Sequence, residues 1–201
     1  MTVIGIAGCT GLMLSGFGIR DSITRIARTQ FGEIFTYDAT ITLKSDKDYE
    51  KIKAMLSENN KISNIVDVNM QTGSLKFEDK TKDINIVVPN EFEEIKKCVN
   101  LYDIETNEID ELTDDGIIIT DKLSDLLGVK KDDTVTLVDG NDKEYQFKVR
   151  NIVKNYVDNY VFISKPLYEN TIGNYSKNMI IPRHGRCGEW LPCLYLHSGV
   201  S

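Results

Sequence analysis

Histidine is almost missing from this chain, with two in 201 residues, His184 and His197, both near the C-terminus. Nothing between Met1 and Arg183 therefore offers an imidazole as general base or proton shuttle. No cysteine in that stretch sits beside a plausible base, and the carboxylates read as surface, so nucleophile–base catalysis has no candidates. Cysteine is also scarce, at four. Cys9 lies in the apolar N-terminal stretch and Cys98 stands alone, which excludes a disulfide framework. Lys and Arg do not cluster on any segment, and formal net charge is −7. That excludes an extended nucleic-acid surface and disfavours a domain lying flat on an anionic leaflet. Charge itself is missing from Met1 to Ile19, and Arg20 is the first ionisable side chain.

That uncharged stretch, MTVIGIAGCTGLMLSGFGI, is the most constraining thing present. As a helix, 19 residues reach about 28 Å against a hydrocarbon core of about 30 Å, a marginal full span or the C-terminal part of one. Gly5, Gly8, Gly11, Gly16 and Gly18, with Thr10 and Ser15, are small residues that let neighbouring helices approach closely in a bilayer. The expectation is a transmembrane helix over 1–19 that packs on other helices through Gly5, Gly8 and Gly11. A cleaved signal peptide would begin with basic residues, and Met1-Thr2 supplies none. A phosphate loop needs a lysine after its last glycine, and none follows. A dinucleotide-binding turn needs a preceding strand, and only four residues precede Gly5. A buried helix of a water-soluble protein is the remaining rival.

Beyond Ile19 the stripe Ile23, Ile26, Ala27 and Phe31 continues at helical spacing, with Arg20, Asp21, Arg25 and Arg28 on the other face. Asp21 and Arg25 stand at i,i+4, the spacing of a weak pair. The reading is a stalk over 20–32, ended by Gly32, that docks on the rest of the chain through Ile23, Ile26 and Phe31.

From Glu33 the pattern becomes that of a soluble α+β domain of two lobes with mostly antiparallel sheets. The first lobe, 33–102, holds a β-rich stretch to Leu43 and a helix over 46–59. A hairpin follows, with strands at 62–70 and 74–78 and Gln71-Thr72-Gly73 at the turn. A strand then ends at Pro89, and after a helical turn another lies near 98–102. An acidic connection, 103–115, matches no calcium loop and reads as a solvated linker. The second lobe, 116–182, starts with the strand GIIIT and a short helix, Asp121 to Leu127, ended by Gly128. The strands 134–138 and 144–153 flank Asp139-Gly140, a further strand covers 156–164, and Ser164 caps a helix.

The tail, 183–201, is atypical: it holds both histidines, the only tryptophan and two of the four cysteines. It reads as non-native or disordered. Its alternatives are zinc on His184, Cys187, Cys193 and His197, or a Cys187–Cys193 disulfide. The five-residue gap between the cysteines exceeds usual zinc spacing.

Two segments carry a family resemblance. TVIGIAGCTGLMLSGFGIRDSI, followed by QFGEIFTYDATI, resembles the end of the first membrane helix and the start of the extracytoplasmic region of FtsX-like ABC transporter permeases. DDGIIITDKLSDLLGVKKDDTVTLVDGNDKEYQFKVRNIV resembles the second module of the MacB-type extracytoplasmic core domain, with Asp132-Asp133 where Gly-Asp is usual. The resemblance implies a permease fragment in the cell membrane, extracytoplasmic from about residue 20, serving transport or mechanotransmission. It implies no cofactor and no ATPase site of its own. Its partners would be a cytoplasmic ATP-binding subunit, other membrane helices and a second copy in a homodimer. The family's basic residues before the first helix are absent here. The alternative is a singly anchored extracytoplasmic binding or sensor module.

Overall fold

The structure, a computed structural model, describes residues 2–37, 39–43, 46–58 and 62–184. Among the described residues helix α1, Thr2–Thr29, packs on no other element from Ile6 to Arg28, where every residue is exposed. A single π-type turn, Gln30–Ile34, follows and buries Gln30 and Ile34. The wide turn rotates the chain so that both side chains point into the domain.

Strand β1 (Ile41–Thr42) and helix α2 (Asp46–Ser57) precede a long hairpin, β2 (Ile62–Phe77) and β3 (Lys80–Pro89). Then come α3 (Phe92–Ile95), β4 (Ile117–Thr120), α4 (Asp121–Leu127), β5 (Thr134–Val138), β6 (Glu144–Val153), β7 (Tyr160–Phe162), α5 (Lys165–Thr171) and β8 (Met179–His184). The fold is α+β. One eight-stranded sheet runs in the order β1-β8-β2-β3-β7-β4-β6-β5, and β5 also pairs back onto β2. Strands β2, β3, β7, β4, β6 and β5 thereby close a ring, while β8 and β1 extend from the first half of β2. The pairs are antiparallel except β3–β7 and β4–β6, which are parallel. The stretches 33–102 and 116–182 meet in this shared sheet.

Inside the ring, Leu75, Ile86, Ile117, Ile119, Leu137 and Val149 are almost fully buried, and Leu123 and Leu127 of α4 join them. Outside it, Val68, Val87, Ile118 and Phe162 carry a second layer built from Ile34, Phe35, Ile95, Val99 and Leu101. Alternation along the strands supplies both layers, since successive side chains point to opposite faces.

The hairpin turn is displaced from its expected place. β2 runs unbroken through Gln71-Thr72-Gly73, and the chain reverses at Glu78-Asp79, with Phe77 opposite Lys80 and Glu78 at φ 51°. Gly73 serves a different need: a Cβ there would lie 2.5 Å from the Val138 carbonyl oxygen. It admits the close crossing of β5. The 98–102 segment forms only isolated bridges, Val99 with Phe35 and Tyr102 with Ile109. Strand β8 continues through Arg183 and His184, past the boundary drawn from composition.

The acidic connection is more than solvated chain. Asp103 is buried and accepts from the Glu105 and Thr106 N–H groups, and Asn151 Nδ2 donates to both Asp103 and Asp110. Burial pushes the Asp103 carboxyl up, but the Thr106, Asn151 and Glu105 hydrogen bonds outweigh it and hold it below 3.8.

A buried carboxylate fastens α2. Tyr49 donates to Asp67 Oδ2 at 2.6 Å, and the Lys53 and Lys177 ammoniums lie 3.1 and 3.4 Å from the same oxygen. Desolvation raises the Asp67 carboxyl, but Tyr49 and the two lysines win and leave it below 3.8. Asp67 therefore contributes stability that is present above 3.8 and lost as pH falls through its lower folded value. Asp67→Asn is expected to cost about 2 kcal/mol, less than a fully buried pair because both ammoniums reach solvent. Urea midpoints at neutral pH and in acid check this: the gap between wild type and variant should narrow in acid.

Candidate functional site

The root of α1 is where the chain concentrates unusual features. Gln30 continues the i,i+4 series Ile26, Gln30, Ile34, but it is the position where the helix face meets the domain. Its side chain is 0% exposed. Nε2 donates to Asn155 Oδ1 at 2.7 Å, and the Tyr156 N–H donates to Oε1 at 2.8 Å. Both polar atoms of a buried amide are thus satisfied by the loop between β6 and β7.

That loop is held in turn. Asn155 Nδ2 donates to the carbonyls of Val157 and Asp158, and the Asn155 N–H donates to Asp121 Oδ1 at 3.1 Å. Asp121 opens α4 and also accepts from the Lys122 N–H at 2.7 Å. A relay runs from α1 through Gln30, Asn155 and Asp121 into the helix that packs on the ring core. On its other flank the turn is stitched to the 97–100 segment. Asn100 donates to the Glu33 and Ile34 carbonyls, and the Thr36 N–H donates to the Cys98 carbonyl at 2.8 Å. Phe35 sets its edge against Tyr160 at 5.7 Å. An apolar cavity of about 40 Å³, lined by Phe35, Val68, Val99 and Phe162 among others, lies beneath this joint.

Burial pushes the Asp121 carboxyl above 3.8, against the Asn155 and Lys122 N–H groups that favour its anion. A raised folded value means that the anion weakens the fold, and the penalty is relieved as pH falls through that value. Asp121→Asn keeps an oxygen for both N–H groups and removes the charge. Its stability is expected to depend less on pH than wild type between 3.8 and neutrality. Paired denaturation series across that range check this.

Of the helix residues singled out from sequence, Gly5, Gly8, Gly11, Ile23 and Ile26 fall on α1 and Phe31 in the turn that follows it. Gly5 lies within the helix; a Cβ on Gly8 or Gly11 would meet nothing within 4 Å. Ile23, Ile26 and Phe31 are 62%, 42% and 50% exposed, so the structure does not bring them onto the chain's own sheet. The residues that do sit there are Gln30, Ile34 and Phe35. His184 lies in β8, whereas Cys187, Cys193 and His197 fall outside the described residues. Among the described residues no group of His, Cys, Asp or Glu can hold a metal ion, and no helix is long and apolar enough to cross a membrane.

A solved structure shares this architecture. The extracellular domain of the noncanonic ABC-type transporter YknZ from Gram-positive bacteria matches with a TM-score of 0.50 at 10% identity, over 74% of this chain and 83% of that one. The fold is similar to that of an ABC-transporter extracellular domain. The periplasmic region of MacB from Actinobacillus actinomycetemcomitans matches at a TM-score of 0.42 and 11% identity, over 75% of each chain, too distant to add weight. No family model matches the sequence, and no curated protein matches it.

Proposed function

We propose that this chain is the extracytoplasmic domain and membrane-proximal helix of an ABC-type permease of the FtsX-like kind. On this reading α1 enters the bilayer, the residues from about 20 onward stand outside the cytoplasm, and ATP is hydrolysed by a separate cytoplasmic subunit. The observation that carries it is the set of large apolar side chains that α1 leaves exposed, unpartnered among the described residues, on a domain of this fold. Leu12 is 76% exposed and Phe17 63%.

Such a helix is poorly suited to water. Each interior glycine costs about 1 kcal/mol of helix stability relative to alanine. Inside hydrocarbon the backbone has no water to bond, and the helix becomes the one low-energy form for a single segment. Small residues then give close backbone contact with other helices. Gly5, Gly8 and Gly11 supply that contact, with other permease helices or with a second copy. Ile23, Ile26 and Phe31, bare on this chain, would meet the neighbours of the stalk.

Movement of α1 has a buried polar route into the domain, the Gln30–Asn155–Asp121 relay, beside the apolar contacts of Ile34 and Phe35. The small apolar cavity beneath the joint leaves room for the root to shift without breaking the ring. The role proposed is therefore conformational coupling across the membrane, in transport or mechanotransmission.

Gly8→Leu tests the packing half of this reading. In membranes holding the full permease, it is expected to reduce co-purification of the partner helices by about tenfold. Undiminished assembly would contradict it and favour a singly anchored binding or sensor module.

A further inference from the structure

Arg20, Arg25 and Arg28 form a cationic collar with no side-chain partner among the described residues. All three are exposed, and none forms an ion pair with a described residue, whereas Arg150 pairs with Asp115 and Lys148 with Asp132. Even Asp21, one turn before Arg25, is not paired with it among the described residues. By helical geometry the three arginines fall within an arc of about 140°, spaced along about 12 Å of axis, with Ile19, Ile23 and Ile26 on the opposite side. The collar begins immediately after the uncharged run ends at Ile19.

We propose that Arg20, Arg25 and Arg28 bind the phosphates of anionic phospholipids at the bilayer surface where α1 emerges. This rests on α1 being membrane-inserted. The polar zone of one leaflet is about 5–8 Å deep beyond the hydrocarbon. Arg20 and Arg25 fall within or beside it, and Arg28 reaches back along its own side chain in the way long basic residues snorkel. Guanidinium forks match phosphate oxygens in bidentate geometry, so arginine suits this contact better than lysine. The charge pattern agrees with the partner. The chain's net charge of −7 keeps the domain off an anionic surface, while the collar carries three positive charges against the single negative charge of Asp21. The collar would therefore fix the depth and rotation of α1 while the domain is held clear.

The test is flotation of the full chain with vesicles of phosphatidylcholine alone and with about 30% phosphatidylglycerol added. Wild type is expected to float with both, about a hundredfold more strongly with the anionic vesicles, and molar salt is expected to remove that preference. Arg20→Gln, Arg25→Gln and Arg28→Gln together should abolish the preference and leave flotation on phosphatidylcholine unchanged, each single change costing about fivefold. Equal flotation of wild type on both vesicles, or a preference kept by the triple variant, overturns the collar but leaves the inserted helix standing. No flotation with either vesicle overturns both.

Discussion

Gly73→Val is expected to cost about 3 kcal/mol or more, a large part of the stability of a domain this size. The reason is a backbone collision. A Cβ at Gly73 would lie 2.5 Å from the Val138 carbonyl oxygen and 3.1 Å from Ile86 Cδ1. A side-chain tip can rotate away, but a strand carbonyl can move only with its strand. Here that strand is β5, joined to β2 by just the Ser74–Val138, Leu75–Leu137 and Lys76–Thr136 pairs, and their loss opens the ring. Gly73→Ala should show a graded version of the same loss. Gly140→Ala is the control: its nearest contact would be the Thr72 carbonyl oxygen at 3.7 Å, ordinary van der Waals distance. Urea denaturation of the three variants checks this. A Gly73→Ala midpoint equal to that of Gly140→Ala would show that β5 does not close on β2 as described.

Gln30→Ala is expected to cost about 3 kcal/mol. It removes a fully buried side chain and strands two partners, Asn155 Oδ1 and the Tyr156 N–H. Gln30→Glu tests the same joint without a cavity. Its carboxylate still accepts from Tyr156, but the second oxygen faces Asn155 Oδ1. Asn155 resists a flip because its Nδ2 already donates to the Val157 and Asp158 carbonyls. Hydrogen exchange over 154–158 should accelerate by about a hundredfold in Gln30→Ala, while amides of the β2–β3 hairpin change less. If α1 couples the domain to an ATP-driven permease as proposed, the same variant should retain partner helices yet lose that movement. If exchange accelerates equally in both regions, Gln30 contributes to global stability and the relay is not a separable joint.

Much of the second half of the domain could be read from residue pattern. Gly128, at φ 82° in the left-handed region, ends α4 as its position after Leu127 implies. Ser164 caps α5 by accepting from the Leu167 N–H, and Pro166 stands in the first turn. These are local signals, each contained within a few residues. The Gly73 misreading arose because a glycine between β-rich runs signals a turn locally, whereas its actual role is set by a strand more than sixty residues away. The eventual turn, Glu78-Asp79, carries no glycine or asparagine and gave little to see. Closure of the ring was illegible for the same reason: it depends on β5 returning to β2. At the candidate site, Gln30 left a faint trace as an uncharged polar residue on an apolar stripe. Asn155 left none, because an asparagine in a polar loop looks like any other. Asp103 was hidden among the acidic residues around it, and its burial and the Glu105 and Thr106 N–H bonds, set by the fold, are what distinguish it.

The central claim is that α1 is buried in a bilayer with the domain on the outer side. The arginines after Ile19 make the opposite placement a serious competitor, since basic residues next to a span favour the cytoplasmic side. Labelling of Glu78→Cys at the exposed hairpin tip, in a chain with Cys187 and Cys193 changed to serine, decides between them. In intact spheroplasts, a membrane-impermeant maleimide should label position 78 at once, and Cys9 should react only after detergent. Labelling of position 78 only after permeabilisation, or recovery of the chain from the aqueous fraction with Cys9 freely reactive, would contradict the account.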